Sequence, residues 1–283
     1  MAITKALPQV WSGAIKAALL KAHVFGAAGV VNRDYEGDIA DYGVSVKVIS
    51  LNPVAIKAYT KNATIAAPDV LTDAETILTV DQAQYFNFSV DDIDQAQTRP
   101  KLFGEATRLA AWGLRDVSDT YLAAQMKAGG TSTIANVTAL TATPGKAYDA
   151  LVDLAVKFNQ VNVPTDGRFA ICDPAFYGLI LKDDRFLHAT AVGDAILANG
   201  VVGRAAGFNL MVSNNMPAGG VGPPQRYCVI AGTSLGFSFV EQLLRTEAYR
   251  PDGLFADALK GLYVYGGKMM YPEAVGGFEW SLT

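Results

Sequence analysis

Apolar residues change their spacing repeatedly between Asp34 and Gly130. Val44, Val46 and Val48 alternate with Ser45, Lys47 and Ile49, the period of a half-buried strand whose partner is Thr76 to Val80 or the strand beyond it. Ser50 to Glu75 shows neither a strand nor a helix period. It mixes Val54, Ile56, Tyr59, Ile65 and Val70 with Pro53, Lys57, Lys61, Asn62 and Pro68. That is too apolar for a solvated linker and longer than the roughly 12–15 residues usual for a structureless loop, so a protruding hairpin is expected. Tyr85, Phe86, Phe88 and Val90 make an aromatic strand closed by Asp91, Asp92 and Asp94. From Thr98 to Ala128, Leu102, Ala106, Leu109, Gly113, Val117, Tyr121 and Ala124 recur at three- or four-residue steps. They predict one helix of about thirty residues, roughly 45 Å long. Thr98 would be its N-cap, Pro100 would sit in its first turn and Gly129-Gly130 would stop it.

The flanking regions read differently. Trp11, Ile15, Ala18, Leu19 and Ala22 have helical spacing in an N-terminal arm, residues 1–33, ended by Gly26 and Gly29. After a small-residue bridge from Thr131 to Thr143, Pro144 opens a second helix with Ala147, Leu151, Leu154, Ala155 and Phe158 on one face. Arg168 to Cys172, Phe208 to Ser213 and Arg226 to Ile230 read as strands and Pro174 to Leu181 as a short helix, the alternation of an α/β or α+β unit. Strands return at the end, Leu262 to Tyr265 and Lys268 to Tyr271 among them.

Composition adds one point to this picture. Of 283 residues 51% are hydrophobic and only 18% charged, against about 25% charged in typical soluble domains. Such a surface is expected to be partly covered by partners, the alternative being an apolar, well-packed monomer. The net charge of −4 gives no basic footprint for tight binding to duplex nucleic acid. Cys172 and Cys228 stand apart beside strand-like residues, which suits buried reduced thiols and a reducing cytoplasm. No secretory signal is visible, and the apolar stretch from Val10 to Val31 is broken by Lys16, Lys21 and His23, so no membrane span is expected.

Candidate chemistry is thin. Gly232-Thr-Ser-Leu-Gly236 matches the Gly-x-Ser-x-Gly nucleophile elbow, but Phe237-Ser-Phe-Val continues as a strand and both histidines, His23 and His188, lie upstream. A turn between strands is the better reading. Asp91, Asp92 and Asp94 lack calcium-loop spacing, His188 has no companion ligand, and Gly200 to Gly207 fits neither nucleotide-loop pattern. No catalytic, cofactor-binding or metal-ligating residue is assigned, and no enzyme is expected.

Three stretches then stand in a telling order: Asn32-Arg-Asp-Tyr-Glu-Gly37 leading into Gly43 to Val48; Val80-Asp-Gln on to Phe88-Ser-Val-Asp-Asp-Ile-Asp94; and Asp183-Asp-Arg-Phe on to Asn199-Gly-Val-Val-Gly-Arg-Ala-Ala-Gly-Phe208 and Ser213-Asn-Asn-Met-Pro217. In this order and spacing the chain resembles, over essentially its whole length, the major capsid proteins of tailed bacteriophages with the Hong Kong 97-type fold. The resemblance implies an α+β fold with an N-terminal arm (1–33), an extended loop lying over a neighbouring subunit (34–75), a peripheral domain with the long helix as its spine (76–139 and 241–283), and an axial domain (140–240). It implies assembly of copies into pentamers and hexamers that close an icosahedral shell around a double-stranded DNA genome, with Val54, Ile56, Tyr59 and Ile65 burying apolar surface on a neighbour.

A separate scaffolding protein and a portal would be partners, packaged DNA would be touched only weakly and non-specifically, and no membrane would be involved. The site of action would be the virion, assembled in the bacterial cytoplasm. Crosslinking through Lys57 or Lys61 is not expected. The rivals are an encapsulin-like nanocompartment shell and a soluble α/β enzyme.

Overall fold

Ser45–Leu51 (β1) and Asp73–Thr79 (β2) pair antiparallel, from Ser45 opposite Thr79 to Leu51 opposite Asp73, so the expected hairpin is present as a stem. The structure is a computed structural model that describes residues 24–35, 45–51, 56–59, 61–62, 64, 73–91, 102–137, 145–183, 203–219, 226–253 and 255–281. Among the described residues the stem forms a sheet of two strands, which alone would be marginal in water. Its foot supplies the missing stability: Leu78 and Val80 are buried against Val240 and Val264. A side chain at Gly266 would run into the Thr79 carbonyl, so the bare glycine lets the foot sit directly on the strand beneath it.

That strand belongs to a three-stranded antiparallel sheet. Gln82–Asp91 (β3), Phe237–Tyr249 (β9) and Ala256–Met269 (β10) are ordered β3-β10-β9, with an irregularity at Leu262/Tyr263. The expected separate strands Leu262 to Tyr265 and Lys268 to Tyr271 are corrected to one continuous strand ending at Met269. The strand runs on through the glycine pair because each glycine is a close approach: Gly266 lies against the hairpin foot at Thr79 and Gly267 against the Phe237 ring.

Leu102–Gly129 forms the long helix, α1, roughly 42 Å at 1.5 Å per residue, and it ends at Gly129 as read from the sequence. Thr98 and Pro100 lie outside the described residues. The inward face differs from the expected one. Ser118, Asp119, Leu122, Ala123 and Met126 are buried, whereas Leu109 and Val117 are largely exposed. Two polar residues hold core positions here. The Asp119 carboxylate accepts the backbone N–H groups of Val24 (2.9 Å), Phe25 (3.1 Å) and Gly26 (3.2 Å), which makes its burial tolerable and hides the true stripe from a hydrophobicity count.

The same contact corrects the expected arm. From Val24 onward the chain belongs to the body, with Phe25, Val30 and Val31 fully buried against α1 and β9 residues. The helical pattern at Trp11 to Ala22 lies outside the described residues.

The second layer is a six-stranded mixed sheet in the order β4-β11-β8-β5-β7-β6. Its strands are Ser132–Thr133 (β4), Phe169–Cys172 (β5), Arg204–Ala205 (β6), Phe208–Val212 (β7), Arg226–Gly232 (β8) and Val275–Ser281 (β11). Lys146–Gln160 (α2) and Pro174–Leu181 (α3) cover it, burying Leu151, Leu154, Phe158, Phe176, Ile180 and Phe208. The α2 start falls at Lys146 after a left-handed Gly145, and Pro144 lies outside the described residues. Asp173 caps α3 by accepting from Ala175 and Phe176 N–H.

The division of the chain also changes. β11, expected to complete the first sheet with the rest of 241–283, instead lies between β8 and β4. Its Phe278 and Trp280 are needed in the second core, where Phe176 packs on both. The 140–240 and 241–283 blocks are therefore interleaved: β9 begins at Phe237, and 132–137 sits with β11.

Cys172 and Cys228 are buried free thiols. Their Sγ atoms donate to the Met211 and Pro217 carbonyls, and burial pushes both thiols up to about 12. Because the thiolate is the reactive form, neither should be alkylated by iodoacetamide at pH 8 in the folded chain, and both should react once it is unfolded. Fast modification of the native protein, read by mass spectrometry, would contradict this packing.

Candidate functional site

The one catalytic-looking motif resolves as backbone geometry. Gly232 ends β8, Ser234 and Leu235 form a turn, and Phe237 starts β9. Thr233 N–H donates to the Ala274 carbonyl and Gly236 N–H to the Thr233 carbonyl. No helix follows the serine, so the strained strand-to-helix elbow that exposes a nucleophile is not built. Asp92, Asp94, His23, His188 and Gly200 lie outside the described residues. Among the described residues no group of three His, Cys, Asp or Glu side chains could hold a metal ion.

What the chain presents is unburied apolar surface on projecting elements. Beyond the β1–β2 stem Ile56 is 99% exposed and Tyr59 73% exposed, with Lys57, Lys61 and Asn62 also exposed. Val54 and Ile65 lie outside the described residues. A Lys47–Glu75 pair at 2.7 Å spans the stem, and its exposure makes it a minor contributor. Burying one such side chain is worth roughly 1.5–3 kcal/mol, so a hairpin carrying two of them is suited to a contact that its own body does not supply.

The outer face of the three-stranded sheet is a second such surface. Tyr85 is 76% exposed there, with Leu262 and Tyr249 partly so, and Phe255, just before β10, is 82% exposed. Lys260 bridges the strands, pairing with Glu247 at 2.9 Å and lying 5.1 Å from the Tyr249 ring centre. The Tyr249 hydroxyl donates to Asn87 Oδ1 at 3.2 Å. A cleft of about 390 Å³ opens among Tyr85, Asn87, Glu247, Lys260, Gly261 and Leu262. The sequence pattern places Tyr85 in the aromatic strand without marking it as surface, and does not mark Phe255 at all. Tyr85 was readable from parity, since it alternates with Phe86 and so faces the opposite side of the strand. Phe255 had only the preceding Pro251-Asp-Gly253 turn to mark it.

Comparison with known proteins gives these surfaces a setting. Residues 72–276 match the family model described as phage capsid protein. A solved structure from Mycobacterium phage Che8 is 26% identical, covers 98% of both chains and has a TM-score of 0.72. The capsid structure of cyanophage P-SCSP1u is 16% identical over 100% of this chain and 93% of that one, with a TM-score of 0.76. The capsid of Ralstonia phage GP4, 10% identical, covers 100% and 98% with a TM-score of 0.68. Among curated proteins nothing matches. The family match runs from the hairpin's returning strand, through both sheets and the long helix, into β11. The chain belongs to the phage capsid protein family and is a phage major capsid protein with the Hong Kong 97-type α+β fold, a structural component of the virion.

Proposed function

We propose that copies of this chain close into pentamers and hexamers that together form the icosahedral shell of a tailed phage, and that the hairpin is the element by which one copy grips the next. The observation that carries this reading is the full exposure of Ile56 at the end of a stem anchored on the body. Heterologous contacts of this kind close rings when the rotation fits, and many weak contacts summed over a shell give stability that no single interface needs. The three-stranded sheet with α1 would act as the peripheral domain and the six-stranded sheet with α2 and α3 as the axial domain, with β11 and residues 132–137 on the axial side. Val54 and Ile65 would join Ile56 and Tyr59 in the contact.

The role is structural, with no reaction to catalyse. A separate scaffolding protein and a portal are the partners this mode of assembly calls for, and assembly takes place in the host cytoplasm. The net charge of −4 suits a wall that holds packaged DNA without gripping it. The family match favours a genome-enclosing shell over a nanocompartment of the same fold.

A double substitution, Ile56→Asp with Tyr59→Asp, tests the contact. Both side chains are exposed, so thermal stability should stay within about 1 °C. The assembled fraction in sedimentation should fall at least about tenfold, because two buried charges now oppose every contact. Wild-type amounts of assembled particles would overturn the role given to these residues.

A further inference from the structure

We propose that residues 24–33 are an edge guard: a strap that occupies the exposed backbone at the start of β9 and keeps that edge from pairing with another copy of the chain, with Asp119 as its anchor. Among the described residues β9 is an edge strand, since the sheet order is β3-β10-β9. Its first half reads Phe237-Ser-Phe-Val240, following Leu235-Gly236. A six-residue run like this, uncharged, aromatic and free of proline, is the composition that adds strands edge to edge when left open. The strap covers this part of the edge. Asn32 bridges Ser238 in parallel, donating its N–H to the Phe237 carbonyl at 2.9 Å and accepting the Phe239 N–H at 2.9 Å.

The guard stops where it is no longer needed. From Glu241 the strand carries Glu241, Arg245 and Glu247, and charges on an edge resist pairing by themselves. Arg33 marks the changeover: its guanidinium pairs with Glu241, which also accepts from the Tyr263 hydroxyl, and it lies 5.6 Å from the Phe239 ring centre. At the other end, three backbone N–H groups converge on the Asp119 carboxylate, and Phe25, Val30 and Val31 seal the strap into the core. A strap meant only to fill space would need neither a buried carboxylate nor a strand-like bridge. This inference does not depend on how copies meet in a shell.

Asp119→Asn in the full chain replaces one acceptor oxygen by a donor and loosens the anchor. Hydrogen bonds to charged groups are strong enough that local exchange should accelerate roughly 10- to 100-fold on their loss. The Phe239 amide and the amides of Val24 to Gly26 should both speed up, while β5 and β8 amides hold their protection. The variant should then show concentration-dependent thioflavin T fluorescence, and wild type should show none. Arg33→Ala, at the partly exposed end, should give the same pattern more weakly, and it decides the matter if Asp119→Asn does not fold. Faster exchange in the strap with unchanged Phe239 protection, a uniform rise through both sheets, or open Phe239 without thioflavin-positive association would each overturn the proposal.

Discussion

Trp280→Ala should be the most damaging single substitution in the second core. The ring is fully buried, stacks on Tyr227 with centres 5.0 Å apart, lies 5.5 Å from Phe176, and donates its Nε1–H to Asp173 Oδ1 at 3.0 Å. Truncating a buried aromatic costs about 3–5 kcal/mol. Removing a donor from a buried carboxylate adds about 1.5–3 kcal/mol. The sum approaches the whole stability of many domains, about 5–15 kcal/mol. The melting temperature should drop by roughly 10–20 °C, and a shift below about 2 °C would show that β11 is not part of this core.

Trp280→Phe separates the two contributions, because it keeps a stacked ring and loses the N–H. Burial already holds the Asp173 carboxyl above its usual range, opposed by the bonds from Phe176, Trp280 and Ala175. Without the indole donor its folded-state pKa rises further. A raised carboxylate pKa means that the folded state prefers the proton, so the deficit is present at neutral pH and relieved as pH falls through that raised pKa. The melting difference between wild type and Trp280→Phe should therefore narrow between pH 7 and the carboxylate range. A difference that is constant with pH would remove Asp173 from the explanation.

Much of this architecture was legible because periodicity survives where packing is simple. The hairpin strand at Val44 to Ile49, the Gly129 stop and the Pro174 to Leu181 helix all follow local rules, and the structure has them within a residue or two; the aromatic strand is there too, starting three residues earlier at Gln82. The misses share one cause, which is that a distant partner changes what a residue is worth. Asp119 reads as surface in a hydrophobicity pattern, yet it is buried because residues 24–26 offer it three donors. The glycines at 266 and 267 break the apolar pattern into two strands, yet they lie inside one strand, where Gly266 touches Thr79 and Gly267 the Phe237 ring.

Likewise Phe278 and Trp280 could face either sheet by alternation, and only the aromatic partners Phe176 and Tyr227 decide it. Of the candidate contact residues, Ile56 and Tyr59 were recognisable as too apolar for a linker. Their exposure shows that the body leaves them uncovered.

The hairpin carries the largest functional prediction. The stem closes between Leu51 and Asp73, and its anchor consists of Leu78, Val80 and the Gly266 contact, all outside residues 52–72. Removing 52–72 and joining the stem with a short Asn-Gly turn should therefore leave both cores intact. It would also remove the exposed apolar residues proposed to reach a neighbour, and with them a contact that this proposal repeats in every copy. Electron microscopy of the full and shortened chains, expressed in parallel and checked for equal melting temperature, tests this most directly. The account predicts closed shells or capsomers from the full chain and only dispersed, folded subunits from the shortened one. Normal shells from the shortened chain would contradict it.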